Sequence, residues 1–194
     1  EKVSEEQGNW EKDLKMYLHD LVMYVSIILI VFLLLFRIIV VSGDSMYASL
    51  LDGDYLLLIG NTFDHEPKQG DVIVASKEGF RNGERIIKRV IATEGQWVDI
   101  NFETGTVKVD GKILDEPYIS TPTVTPEGLT FPLRVEDGCV FVLGYNRALS
   151  MDSRHPQIGQ IDCREIVGKA IFIFFPGKSV DSGERDFGRI GGID

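Results

Sequence analysis

The chain has 194 residues, 30 acidic against 20 basic, for a net charge of −10 at neutral pH. So acidic a surface repels phosphates, which excludes nucleic acid as a partner and a polybasic grip on anionic lipid. Two cysteines without CxxC spacing and three scattered histidines make no metal-ligand pattern, so neither a metal nor another cofactor is expected.

Glu1 to Asp20 is charged and mixed, with a weak helical pattern. From Leu21 to Phe36 the chain carries no charge, and Ile38-Ile39-Val40-Val41 prolong the apolar run past Arg37. About 20 apolar residues cross a bilayer as a helix of about 30 Å, so residues 21–41 are expected to form one transmembrane helix. Lys12 and Lys15 precede the span, whereas beyond Arg37 no basic residue comes before Lys68. This asymmetry predicts a cytoplasmic segment 1–20 and an extracytoplasmic remainder. A cleaved secretory signal competes, with Val41 and Gly43 small enough for a cleavage site, but the run exceeds the usual apolar core of about 7–15 residues.

The chain then turns polar at Ser42-Gly43-Asp44-Ser45-Met46. Ser45 is thereby expected within a few residues of the membrane surface, facing substrates that emerge from the bilayer. Beyond it, short apolar runs bounded by Gly, Pro, Asn and Asp predict strands. They are Tyr55–Ile59, Asp71–Ala75, Arg85–Ala92, Trp97–Asn101, Thr106–Val109, Cys139–Leu143 and Val167–Phe175. Asp110-Gly111 is a hairpin turn signal. Ser120 to Pro132, with Pro122 and Pro126 inside it, reads as a long surface loop. Residues 177–194 read as a polar, poorly ordered tail. Without βαβ alternation, residues 42–176 are expected to form one mainly β, antiparallel domain. Cys139 and Cys163 are open to pairing in an oxidising exterior, buried thiols being the default.

Lys88 carries more information than the histidines. In Arg85-Ile86-Ile87-Lys88-Arg89-Val90-Ile91 a period of two puts Lys88 with Ile86 and Val90, and Arg89 with Ile87 and Ile91. At least one basic side chain then shares an apolar face. A desolvated lysine can lose its proton and act as a base, which arginine cannot; a lysine that snorkels at a strand edge would not. Downstream of Cys139–Leu143, Ser150, Asp152 and Arg154 recur every second residue and can share a face, Asp152 pairing with Arg154. His19, His65 and His155 read as solvated histidines, and no spacing supports a triad of Ser45, His155 and Asp152.

Taken together, Gly43-Asp44-Ser45-Met46, Ile87-Lys88-Arg89-Val90 and Gly144-Tyr145-Asn146-Arg147 through Ser150-Met151-Asp152-Ser153-Arg154 resemble the bacterial type I signal peptidases in their compact, Gram-positive-like form. Leu50-Leu51-Asp52-Gly53-Asp54, Gly70-Asp71-Val72-Ile73, Asp110-Gly111-Lys112 through Glu116-Pro117-Tyr118, and Ile166-Val167-Gly168-Lys169-Ala170 extend the likeness over roughly Val40 to Pro176.

The resemblance implies an antiparallel β-sheet catalytic domain of signal-peptidase type behind one N-terminal transmembrane helix. It implies a membrane-anchored serine endopeptidase that removes signal peptides from secretory preproteins, bound as extended strands and cut after small residues of Ala-x-Ala type. Ser45 would be the nucleophile and Lys88 the general base, with Ser150 orienting the amine and the Asp152–Arg154 pair supporting the site. The Ser45 N–H would donate to the oxyanion. Gly43 stands where Gram-negative relatives add a serine hydroxyl, and Met46 completes the serine motif. Ala48, Glu94 and Tyr145 depart from the usual proline, proline and aspartate. The alternatives are a specialised relative, including one that cleaves itself, and an inactive anchored module that binds peptides. Intact Ser45, Lys88 and Ser150 weigh against the last.

Overall fold

A computed structural model describes residues 2–61, 66–77, 80, 83–179 and 182–193. It divides into two compact units, Glu1–Phe36 and Arg37–Asp194.

The first unit is one helix, α1 (Lys2–Leu35), of 34 residues. Its stretch Lys12–Leu35 has 24 residues with a mean hydropathy of 2.5, and none of it is buried within the protein. At about 1.5 Å per residue such a stretch exceeds the hydrocarbon thickness of a bilayer. Leu21, Val22, Ile28 and Leu33 all stand exposed, and a helix apolar on every face needs an apolar cover. It fits a membrane anchor. Ser26 hides its hydroxyl on the Val22 carbonyl at 2.7 Å, which removes one polar group from the apolar surface.

The helix stops six residues short of the expected end at Val41, because Phe36–Val40 is the strand β1. Aromatic and β-branched residues favour the extended chain once a partner strand is at hand. That partner is β2 (Tyr55–Gly60), and Val41 extends the contact by donating to the Asp54 carbonyl at 2.8 Å.

The second unit continues with β3 (Val72–Ser76), β4 (Arg85–Thr93), β5 (Trp97–Asn101), β6 (Thr106–Val109), β7 (Lys112–Ile113), β8 (Leu133–Arg134), β9 (Cys139–Leu143), β10 (Ile161–Asp162), β11 (Ile166–Phe175) and β12 (Gly191–Gly192). Among the described residues the larger sheet runs β1-β2-β11-β3-β4-β9-β10, with β12 on β11, and the smaller runs β7-β6-β5-β8. The fold is mainly β and antiparallel, as expected. Strands β5, β6 and β9 have the expected ends; β2, β3, β4 and β11 differ by a residue. Asp110 and Gly111 both take positive φ, 51° and 77°, the geometry of a tight hairpin joining β6 to β7.

The polar tail is not loose. Gly191 and Gly192 pair with Ile173 and Phe172 of β11, Ile193 packs against the apolar core, and Arg189 forms an ion pair with Asp54. Contacts made across most of the chain, rather than local apolar pattern, hold it in place.

Strand β4 is buried from Ile86 to Ala92 on both faces, so Lys88 and Arg89 are both enclosed, at 4 % and 6 % exposure. Sequence alternation required this of only one of them.

Candidate active site

Ser45 sits in a turn fixed at several points. Gly43 takes φ +85°, a left-handed conformation that a side chain would strain, and its N–H donates to Asp52 Oδ1 at 2.8 Å. Gly53 donates to the Val41 carbonyl, closing the loop at its base. Met46, 1 % exposed, roots the turn in the core beside Leu50, whose N–H bonds the Met46 carbonyl. The Ser45 carbonyl accepts from the Asn146 N–H at 3.0 Å, tying the turn to the segment after β9. The Ser45 N–H donates to no group among the described residues, whereas that of Gly43 is already engaged.

Lys88, opposite Ile73 in the β3–β4 ladder, brings its Nζ to 2.7 Å from Ser45 Oγ and 3.0 Å from the Ile87 carbonyl. Burial pulls its pKa down from 10.5 to about 8; the carboxylates of Asp152 and Glu127 resist that shift, and Arg154 adds slightly to it. A neutral amine has a lone pair in place of one proton. Across the same 2.7 Å the Ser45 hydroxyl then donates and the amine accepts.

Ser150 is fully buried, yet its Oγ has no hydrogen-bond partner among the described residues, so the expected bond to the Lys88 amine is not formed. The Ile87 carbonyl holds the amine instead. The hydroxyl lies against Gly144: a Cβ there would meet Ser150 Oγ at 2.1 Å and the Ser45 carbonyl oxygen at 2.6 Å. Gly144 is thus the one residue type that lets the two serine-bearing segments close on each other.

Asp152 and Arg154 do pair, both fully buried. Arg154 Nε donates to Oδ1 at 2.8 Å and Nη2 to Oδ2 at 3.0 Å, and Asp152 Oδ2 also accepts from the Gly144 N–H. The same guanidinium holds the carbonyls of Thr125, Arg147 and Ser150. Sequence reasoning gave no role to Arg147, which is fully buried, bonds the Gly144 carbonyl and Thr123, and pairs with Glu116 at 2.5 Å. Nor did it find Glu127, 3.5 Å from Arg154, whose carboxyl burial pushes up in pKa. Both lie in or beside stretches that look like exposed turns, and only their partners distinguish them.

Two departures have local purposes. The Tyr145 hydroxyl accepts from Arg89 Nε at 2.8 Å and Nη2 at 2.5 Å, while the same guanidinium lies 4.3 Å over the Tyr118 ring. Glu94 Oε2 accepts the Gly138 N–H at 2.8 Å. Nothing in the structure explains Ala48. Of the histidines, His19 contacts Asp20 and His155 Nδ1 accepts the Gln157 N–H; His65 lies outside the described residues. Cys139 and Cys163 are free thiols.

An open groove of about 540 Å³ exposes the pair Ser45 and Lys88. Residues 38–46 and 84–88 line it, together with Leu149 and Met151. Three strands separate β1 from β4 in the larger sheet, so the sheet curls strongly enough to bring them to one groove.

The profile of the family described as "Signal peptidase, peptidase S26" matches residues 14–175. The chain is 39 % identical over 143 residues to a probable signal peptidase I-1 of Synechocystis, covering 70 % of this chain and 69 % of that protein. It is 36 % identical over 160 residues to signal peptidase I of Bacillus caldolyticus (75 % and 83 % covered) and 30 % identical over 182 residues to that of Bacillus licheniformis (90 % and 95 %). A crystal structure of a signal peptidase I from Enterococcus faecalis, 29 % identical, superposes with a TM-score of 0.45 over 54 % of this chain and 96 % of that one. On the family profile and the sequence relatives, this chain belongs to the signal peptidase family, peptidase S26, and is a serine-peptidase hydrolase.

Proposed function

We propose that this protein is a membrane-anchored endopeptidase that removes N-terminal signal peptides from secretory preproteins, with Ser45 as nucleophile and Lys88 as general base. The observation that carries the reading is a buried amine 2.7 Å from a serine hydroxyl, both lining an open groove. Helix α1 anchors the enzyme in the bilayer, with the N-terminus cytoplasmic and the β domain extracytoplasmic.

The preprotein lies extended between residues 38–41 and 84–88, where backbone groups can add it as a strand. Neutral Lys88 takes the Ser45 hydroxyl proton as Oγ attacks the scissile carbonyl. The oxyanion forms against the free Ser45 N–H, a kind of contact worth roughly 2.7–4 kcal/mol to the transition state. Lys88 returns the proton to the leaving amine, the C–N bond breaks, and a water deprotonated by Lys88 hydrolyses the acyl-enzyme. Ile86, Val41 and Met151 flank the groove and suit small apolar side chains, in keeping with cleavage after an Ala-x-Ala sequence.

The remaining residues support this dyad. Gly43 and Met46 hold the serine turn, Ser150 fills the contact with Gly144, and the Asp152–Arg154 pair holds the segment whose Asn146 N–H anchors the Ser45 carbonyl.

The test is incubation of the detergent-solubilised protein with a secretory precursor, followed by N-terminal sequencing of the product. One cut after a small residue is expected from the parent chain, and none from Ser45→Ala. An uncut precursor would favour an anchored peptide-binding module. The pH profile offers a second check. Only the neutral amine is a base, so kcat/KM should rise about tenfold per pH unit below the Lys88 pKa and level off above it. With burial holding that pKa at about 8, the bend belongs near pH 8. A flat profile from pH 6 to 9 would contradict the base assignment.

A further inference from the structure

The C-terminal segment returns to the turn that carries Ser45. Asp186 caps the short helix Phe187–Arg189 through the Gly188 N–H and so turns Arg189 toward the core. Arg189 Nη1 and Nη2 donate to the two oxygens of Asp54, at 2.9 and 2.7 Å, and Nη2 also holds the Ser49 carbonyl at 2.9 Å. The Asp54 carboxylate is fully buried and takes two more donors, the N–H groups of Leu51 at 2.7 Å and Gly177 at 2.6 Å. Gly177 is required there, because a Cβ would come within 2.2 Å of the Asp52 carbonyl oxygen. Beyond Arg189, β12 pairs with β11, and Ile193 packs on the core cluster that includes Met46 and Leu50.

The Arg189, Leu51 and Gly177 bonds all fall on residues 49–54, the descending limb of the serine turn, and Ile193 joins the cluster that holds Met46 and Leu50. The turn is also held by Asp52 on Gly43, Asn146 on the Ser45 carbonyl, Tyr47 on the Asp44 carbonyl and Gly53 on the Val41 carbonyl, one hydrogen bond each. We propose that residues 182–193 act as a strap that sets the position of Ser45 against Lys88 through the Asp54–Arg189 pair, which makes Arg189 a positioning residue of the peptidase. The inference rests on Ser45 and Lys88 being the reacting pair. It adds that the sequence following the family's common motifs holds the nucleophile in register. Arg189 touches neither reacting atom; it bridges a buried carboxylate and a turn carbonyl, two points that a single planar fork can hold at once.

The consequence is kinetic. A misplacement of about 1 Å at a nucleophile can cost on the order of 10²-fold in rate. Arg189→Met in the full chain should therefore lower kcat about 10- to 100-fold with KM within about twofold, since the groove walls are untouched. A turn that no longer packs on the amine admits water, so the bend in the pH profile should also move to higher pH. Asp152, Glu127 and Arg154, the charged groups that act on Lys88, stay in place in this variant. Arg189→Lys keeps the charge but loses the fork, and should show an intermediate loss with the same alkaline displacement. It also serves as the readout should Arg189→Met not fold.

The proposal is overturned if both variants keep the parent kcat. It is equally overturned if activity falls by the same factor at every pH with the bend unmoved, which is the mark of less folded protein. Ser45→Ala, run alongside on the same precursor, separates the two layers. Cleavage by Ser45→Ala would sink the reading of the dyad itself, whereas an inert Ser45→Ala beside a fully active Arg189→Met would sink the strap alone.

Discussion

Replacing Lys88 by methionine is expected to abolish cleavage and, relative to the parent protein, to make the folded domain more stable as pH falls. The kinetic half follows from the loss of the only group among the described residues in hydrogen-bond reach of Ser45 Oγ and able to take its proton, at 2.7 Å. General bases contribute about 10²–10⁴-fold, and a two-residue dyad has no second base to fall back on. Lys88→Arg should lose as much, because a guanidinium does not deprotonate in this range. If Lys88→Arg kept turnover within about tenfold of the parent, another base would be at work.

The stability half comes from the same burial. The unfolded chain holds the Lys88 proton up to about pH 10.5, whereas the folded chain releases it near 8. Between those values the unfolded state binds more protons, so parent stability rises with pH; below 8 the full cost of enclosing an ammonium remains. A depression of this size corresponds to about 3 kcal/mol. The stability of Lys88→Met minus that of the parent should therefore grow by about 3 kcal/mol from pH 10.5 to 7, measured by chemical unfolding. A difference that stayed constant over this window would mean that the amine is hydrated and titrates as in a peptide. Such a stability loss fits a lysine kept for the proposed chemistry.

What the residues reveal in advance depends on how local their causes are. Strands β5, β6 and β9 are legible to the residue because alternation, turn glycines and hairpin signals all act within a few positions. Strand β1 is not, since Ile38-Ile39-Val40 prolong the apolar run past Arg37, and only pairing with β2 separates strand from helix. The tail is less legible still. Arg189 and Asp54 lie 135 positions apart, and neither glycine of β12 has a side chain to register in a pattern.

The site divides in the same way. Alternation in β4 said that a basic residue must be enclosed, but not whether Lys88 snorkels; its 2.7 Å contact with a serine 43 positions away decides that. Alternation also suggested the Asp152–Arg154 pair correctly, since its cause is a shared face two residues apart. Ser150 shows the opposite case. Its place beside the site was legible from the motif, yet its hydroxyl is turned onto Gly144, a contact set by close approach of two backbones.

Removing Arg154 alone should be far more damaging than removing it together with Asp152. Both side chains are fully buried, and the pair is bidentate at 2.8 and 3.0 Å. Arg154→Met leaves the Asp152 carboxylate enclosed with only backbone N–H donors, those of Gly144 and of residue 154 itself, and breaking one side of such a pair costs about 3–5 kcal/mol. The carbonyls of Thr125, Arg147 and Ser150 lose their donor as well, so the segment whose Asn146 N–H holds Ser45 should loosen and activity should fall. The double change Asp152→Leu with Arg154→Met removes the uncompensated charge and should recover part of the stability, so that the two losses are less than additive. It also has a kinetic signature that no packing argument supplies. Asp152 is the largest of the charges that hold the Lys88 proton on, and Arg154 a smaller one that pushes it off. Without both, the amine should titrate lower still, and the bend in kcat/KM should move to more acidic pH. An unmoved bend would mean that Asp152 is too well screened by its own partner to act on Lys88 at all, and the pair would then serve the fold alone.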